Sequence, residues 1–335
     1  MNTVNQKGGK PYHYPESWDE LNDRKKAIEI AHIITNHELD EVEKKLAILK
    51  KLVPVGKVLP EQLKTQYDVE NLAPLAETLQ QVPGLDDKPN MAAMNDYNIA
   101  LAAMIEAVSW ALSPEDCYQD FLNEFQHQKM NWYGPSDYFD HVSFDEFVHC
   151  DVFAQEFLQT SDEHFLNCLV AVLYRPSRPT HPKGNLKKEK KKGVKIKPDG
   201  TDRREVFAPQ KTEHYARQLA DLPGKYKTLA WYYWLGCKNA LLQEDAAAEY
   251  SAFEHTPEAE TEEVTEELDQ EEETTEDLAQ SWQNIAWGIA KHDSFRNVEE
   301  VEQMNIRKLI SFLQHEKMSF EQMKEEYEKQ NGSTV

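Results

Sequence analysis

Ser143-Phe-Asp-Glu-Phe-Val-His-Cys-Asp-Val-Phe-Ala-Gln-Glu-Phe-Leu-Gln-Thr160, followed at once by Ser-Asp-Glu-His-Phe-Leu-Asn-Cys-Leu-Val-Ala-Val-Leu-Tyr174, decides the fold class. Ser143 stands three residues before Glu146, the spacing at which a hydroxyl accepts from the N3 amide while the acid reaches back. Phe144, Phe147 and Val148 then recur on one helical face. Thr160-Ser-Asp-Glu163 repeats the cap and opens a second apolar stretch. The reading is two consecutive helices, about Phe144–Gln159 and Glu163–Tyr174.

The same signals recur outward from this pair. Ser17-Trp-Asp-Glu20 and Ser319-Phe-Glu-Gln322 have capping-box spacing, and Asn297-Val-Glu-Glu300 is a related cap. Ser113-Pro-Glu-Asp116 is the cap, proline-first, acidic-turn form. Apolar periodicity then predicts helices over about Trp18–Thr35, Leu39–Leu52 (Leu46, Ile48 and Leu49 inward), Pro60–Tyr67 and Leu72–Gln80. Further on it predicts Asn95–Leu112 and Asp116–Met130, with a break at Asn131–Ser136. A long helical region from about Thr212 to Tyr250, broken near Leu222-Pro-Gly224, carries an apolar second half suited to a core. Helices at Ser281–Ala290, Val298–Gln314 and Phe320–Glu328 complete the set. The expected protein is mainly α, a multi-helix, bundle-like body.

Between the helices the composition changes twice. Arg175–Pro182 holds three prolines in eight residues and cannot be helical. From Lys183 to Arg217 there are 12 basic and 5 acidic residues. Within that stretch Val194 and Ile196 alternate with lysines and Pro198-Asp-Gly200 is a turn, so a small β-hairpin, the one sheet expected, is read here. From Glu254 to Asp277, 13 of 24 residues are acidic and none is basic, too little apolar surface to offset ordering entropy. The expected organisation is a disordered 1–11, a helical part at 12–135, and a second helical part at 136–250 carrying the basic hairpin at 182–212. An acidic, disordered linker at 251–278 and a C-terminal helical unit at 279–331 follow.

The chain has 335 residues and a formal charge of −23, which opposes general coating of nucleic acid or of anionic membranes. No run of about 18 apolar residues exists, and Leu229–Leu235 is too short to span a bilayer. The start, with no apolar stretch after its lysines, does not read as a secretory leader. Cys117, Cys150, Cys168 and Cys237 are far apart with no CxxC pair, as expected of buried reduced thiols in a cytoplasmic protein.

Candidate chemistry is sparse. Dinucleotide, P-loop, HExxH and GxSxG patterns are absent. His141, Asp145, Glu146, His149 and Cys150 form a metal-like cluster, but Asp145 and Glu146 are accounted for by helix capping. Adjacent His149 and Cys150 diverge by about 100° on a helix, so no nucleophile pair follows from their neighbourhood. No catalytic residue, cofactor or metal is assigned, and the protein reads as no enzyme. The candidate partner-binding residues are Lys187, Lys188, Lys190, Lys191, Lys192, Lys195, Lys197, Arg203 and Arg204 on the basic stretch. Trp231 and Trp234 join them if their aromatic cluster is partly exposed; otherwise that cluster, like Trp282 and Trp287, is core. The alternative use of the basic segment, 183–204, is a nucleic-acid contact, although no aromatics interleave with its lysines.

The order of segments resembles helical proteins encoded beside the tail genes of tailed phages and prophages, described as tail-assembly chaperone-like or structural. The stretches that carry the resemblance are Tyr14-Pro-Glu-Ser-Trp-Asp-Glu-Leu21, Cys117-Tyr-Gln-Asp-Phe121, Phe144-Asp-Glu-Phe147 and Leu169-Val-Ala-Val-Leu-Tyr-Arg-Pro176. Asp202-Arg-Arg-Glu-Val-Phe207, Leu222-Pro223, Tyr233-Trp-Leu-Gly-Cys237, Trp287-Gly-Ile-Ala-Lys-His-Asp293 and the two final helices follow. The resemblance implies a non-enzymatic morphogenesis role. Its partners would be tail or virion proteins, with self-association and nucleic acid as further possibilities and no membrane. Its place would be the host cytoplasm and the virion.

Overall fold

The computed structural model describes residues 2–5, 11–53, 101–177, 202–243, 275–291, 295 and 297–315. In chain order these form β1 (Asn2–Asn5), β2 (Pro11–Tyr14), α1 (Arg24–Ile34), α2 (Glu41–Leu52), β3 (Glu124–His127) and β4 (Met130–Tyr133). Then come α3 (Phe144–Thr160), α4 (Glu163–Leu173), β5 (Arg175–Pro176), α5 (Pro209–Leu219), α6 (Gly224–Gln243), α7 (Thr275–Ala290) and α8 (Val298–Glu302). Residues 101–106 and 306–315 are also helical, and a 3-10 turn covers Ser109–Leu112. The protein is mainly α with little sheet, as the capping and periodicity imply.

The chain divides into two units, one made of Met1–Leu122 and Pro223–Gly236, the other of Asn123–Leu222 and Cys237–Val335. In the first, β1 and β2 pair antiparallel, so residues 2–5 are not the unstructured start expected of them. Helix α1 begins later than its sequence suggests. Ser17 Oγ accepts from the Glu20 amide in an isolated turn, and Asp23 is the N-cap, accepting from Lys25 and Lys26. Asp40 caps α2 in a complete capping box with Glu43. Ala27, Ile30 and Ala31 of α1 and Leu46, Ile48, Leu49 and Leu52 of α2 are buried.

The centre of this unit is Trp18. Its ring is buried and meets Trp110 edge-on at 5.4 Å, Phe121 at 5.8 Å and Tyr232 at 5.7 Å. Burying an indole demands a partner for its N–H, and Trp18 Nε1 donates to the Ser113 carbonyl at 2.9 Å. Gly236 of α6 lies against the turn at Pro114–Cys117: a Cβ there would stand 2.7 Å from the Cys117 carbonyl oxygen and 2.8 Å from that of Pro114.

The expected helix over Asp116–Met130 does not form. Asp116 and Asn123 have positive φ, and Ser113 closes a turn onto the Glu115 amide instead of capping a helix. A β3–β4 hairpin follows, with Phe125 opposite Trp132 and a two-residue loop at Gln128-Lys129, whose φ values are 47° and 65°. Positive φ at both loop positions marks the turn whose twist suits a hairpin. Strand β5 adds to β4, completing a three-stranded antiparallel sheet. Phe125 and Trp132 stack on its inner face, where Tyr174 and Tyr215 cover them.

Helix α3 starts at Ser143 as its cap requires, with Ser143 Oγ accepting from the Glu146 amide. It runs through Thr160 to a left-handed Ser161, and Asp162, not Thr160, caps α4. Helices α4 and α5 pack in series on α3. Helix α7 packs on α3 through Trp282, whose ring meets Phe144 and Phe147 and whose Nε1 donates to buried Asp151 at 3.1 Å. The expected helix Val298–Gln314 is interrupted at 303–305. There Phe144 N donates to the Met304 carbonyl, Ile306 N to that of Val142, and Asn305 Nδ2 to those of Phe139, Asp140 and Val142. The C-terminal helices are thus part of the second unit, pinned to the start of α3, and not a unit of their own.

The strands of the expected basic hairpin, the helices at Pro60–Tyr67, Leu72–Gln80 and Phe320–Glu328, and the acidic linker up to residue 274 lie outside the described residues. Residues 202–207 form no strand beyond a single bridge between Arg204 and Ser177.

Candidate functional site

Of the basic residues singled out above, Lys187, Lys188, Lys190, Lys191, Lys192, Lys195 and Lys197 lie outside the described residues. Arg203 is part-exposed: it pairs with Glu124 at 2.9 Å, and its guanidinium sits 4.1 Å from the centre of the Tyr133 ring. Arg204 is no surface residue. It is fully buried, donates to Asp202 and to the carbonyls of Leu173 and His141, and lies 3.0 Å from Glu146 Oε2.

Arg204 belongs to an interior ion network. Arg175 is also buried and donates to Glu146 Oε1 at 2.6 Å, to the Glu205 carbonyl at 3.0 Å and to the Val172 carbonyl. Burial, then the neighbouring Arg204 charge, draws Arg175 below the usual arginine range, with Glu146 opposing. Burial would raise Asp202, but the Arg204 charge and hydrogen bonds hold it below the usual carboxylate range. Every charge here faces an opposite one, and removing one partner from such a set costs about 3–5 kcal/mol because the other stays buried. Glu146 therefore does more than the helix-capping role its spacing suggests, and the network serves the fold.

The aromatic candidates divide. Trp234 is fully buried in the first unit and has no face to offer a partner, whereas Trp231 is half-buried. In the second unit Trp282 is core, but Trp287 is 59% exposed, contrary to its expected place in a core. On α7, Trp282, Ala286 and Ile289 are buried, while Gln280, Gln283, Asn284, Trp287 and Gly288 are exposed. The exposed positions recur at helical spacing and continue to exposed Lys291 one turn after Trp287, so Trp287 stands in a polar face that ends in one positive charge.

Titratable pairs are scattered. His149 Nδ1 lies 2.9 Å from the Asp145 carbonyl and 3.0 Å from its carboxylate. Cys150 instead directs Sγ toward the Leu169 carbonyl, so the neighbours diverge as helix geometry requires. His127 Nε2 meets Asp221 at 2.9 Å and holds the β3–β4 loop. In the first unit a cleft of about 480 Å³ is bounded by Ile34, Glu41, Lys45, Ser109, Leu112 and Tyr232. Lys45 there pairs with Glu41 at 2.8 Å and Glu106 at 3.4 Å. Burial works against its charge, yet the Glu41 hydrogen bond and the Glu106 charge hold its pKa above the usual lysine range.

The one convergence of metal-ligating groups among the described residues is His164 and Cys168 of α4 with Glu213 of α5. His164 Nε2 lies 3.6 Å from Cys168 Sγ and 3.2 Å from Glu213 Oε2. Burial, then the charges of Glu213 and Asp162, pushes the Cys168 thiol up to about 12, so it is protonated at neutral pH and a poor nucleophile. All four cysteines are buried and none forms a disulfide. The His164–Cys168 spacing of four was legible as a shared helix face; Glu213, on another helix, carried no signal in the sequence.

Comparison of the chain with protein-family models, with curated proteins and with solved structures gives no match. No helix among the described residues is long and apolar enough to cross a membrane.

Proposed function

We propose that this protein is a non-enzymatic assembly protein of a phage-like tail, a chaperone or a retained structural component, acting through protein–protein contacts in the host cytoplasm. The order of sequence segments supports the setting, and the exposed Trp287 carries the mechanism. Tryptophan is the side chain most enriched among the few that supply most binding energy at interfaces. Here it projects from a helix fixed on its other side by Trp282, so little ordering entropy is lost when a partner covers it. The polar rim of Gln283, Asn284 and Lys291 suits an apolar pocket with a polar or acidic edge in a tail protein. The face near Trp231–Leu242 is the weaker choice, because Trp234 is interior.

The test is recovery of tail proteins with the tagged chain from its producing cells. Trp287→Ala is expected to weaken recovery at least ~30-fold, the equivalent of a hot spot of ~2 kcal/mol, with an unchanged melting temperature. Recovery of the same tail proteins in undiminished amount, or of nucleic acid with a steep salt dependence, overturns the reading.

A further inference from the structure

We propose that His164, Cys168 and Glu213 form a zinc site on the second unit. Their ligating atoms, one nitrogen, one sulfur and one oxygen, all lie within 4.8 Å of one another. A tetrahedral zinc ion with Zn–N of about 2.0–2.1 Å and Zn–S of about 2.3 Å places those ligands about 3.5 Å apart. The observed N···S and N···O separations, 3.6 Å and 3.2 Å, lie close to the edges of such a tetrahedron, and the sulfur and the Glu213 oxygen stand within 4.8 Å of each other.

The construction around the three donors fits a cation. His164 and Cys168 are one turn apart on α4, so a rigid helix sets their separation, and α5 supplies the third ligand. Glu213 leaves Oε2 toward His164 because Oε1 is held by Arg217, 2.9 Å from Nε and 2.7 Å from Nη2; a ligating carboxylate is usually oriented by such an outer partner. Asp162, the N-cap of α4, offsets the positive end of that helix beside the site. Mixed S, N and O donors favour zinc over magnesium or calcium, which take oxygen. His164 and Glu213 are 44% and 48% exposed, which gives the ion a route in and leaves its fourth position to water. On binding, Zn²⁺ takes the place of the Cys168 thiol proton, which passes to the buffer.

The experiment titrates cobalt(II), a spectroscopic stand-in for zinc, into the metal-free full chain, then displaces it with Zn²⁺. One equivalent is expected to bring up a thiolate-to-cobalt charge-transfer band and the intense visible bands of tetrahedral cobalt, both abolished by zinc. Cys168→Ser is expected to remove the charge-transfer band. His164→Gln and Glu213→Gln, on exposed side chains that leave the interior intact, are each expected to weaken binding at least ~10-fold. No band at one equivalent overturns the proposal, as does a band that persists in Cys168→Ser. If Cys168→Ser does not fold, unchanged affinity in both surface variants overturns it.

Discussion

Glu146 shows how much one position can hold. Its amide completes the α3 cap on Ser143, while its carboxylate answers two buried guanidiniums, Arg175 and Arg204. The cap was legible because it is local. The ion network was not, since residues 29 and 58 positions downstream carry no pattern linking them to Glu146, and Arg204 sits in a stretch whose charge suggests surface. His149 lends itself to a pH measurement. Burial disfavours its charged form, but the Asp145 carboxylate and carbonyl, with Glu302 beyond, hold its pKa above the ordinary 6.5. A raised pKa means that its contribution to stability is complete below about 6.5 and is lost as pH rises through the folded value. Urea midpoints should therefore separate the natural chain from His149→Gln widely at pH 5.5 and narrowly at pH 9; an equal gap at both values removes the pair from the account.

Among the elements, helices were readable and the sheet was not. Apolar periodicity places α2, α3, α4 and α6 to within a few residues, because each carries a buried face along its length. Hairpin β3–β4 escaped because its loop, Gln128-Lys129, lacks the Asn-Gly signature of its turn, and each strand buries only one apolar residue, Phe125 and Trp132. The basic segment drew a hairpin reading because its lysines alternate with Val194 and Ile196, and those residues lie outside the described ones. Helix α6 gives a prediction of reversed sign. Gly→Ala inside a helix normally adds up to about 1 kcal/mol. At Gly236 the added Cβ meets two carbonyl oxygens of the Pro114–Cys117 turn, neither of which can rotate away. Gly236→Ala is expected to lower stability by about 1–3 kcal/mol, read from the chemical-denaturation midpoint; a gain would mean that the turn yields.

For the whole molecule, the first unit cannot be taken from one end of the chain. Its 1–122 portion needs Pro223–Gly236, which supplies Tyr232 against Trp18 and its hydroxyl to the Leu112 carbonyl. A chain ending at Leu122 is expected to lose more than the ~3–5 kcal/mol of a single large core truncation and to show no cooperative melting. A chain ending at Gln243 should regain it. Cooperative melting of the shorter chain at the full-length midpoint would show the α6 segment to be dispensable. The expected single helical part at 12–135 missed this, since nothing local announces that residues 223–236 belong with the beginning.

That order of assembly also fixes a timetable on the ribosome. At about 5–20 residues per second, Phe121 is made roughly 6–23 s, and Trp18 roughly 11–44 s, before Tyr232 and Gly236 are joined to the chain. Throughout that interval the nascent first unit holds an aromatic socket without its plug. The second unit's sheet and α3–α5, complete by Leu222, can form first. Newly made chains are therefore open to capture, by a holding chaperone or by one another, around the Trp18 ring that the mature protein buries.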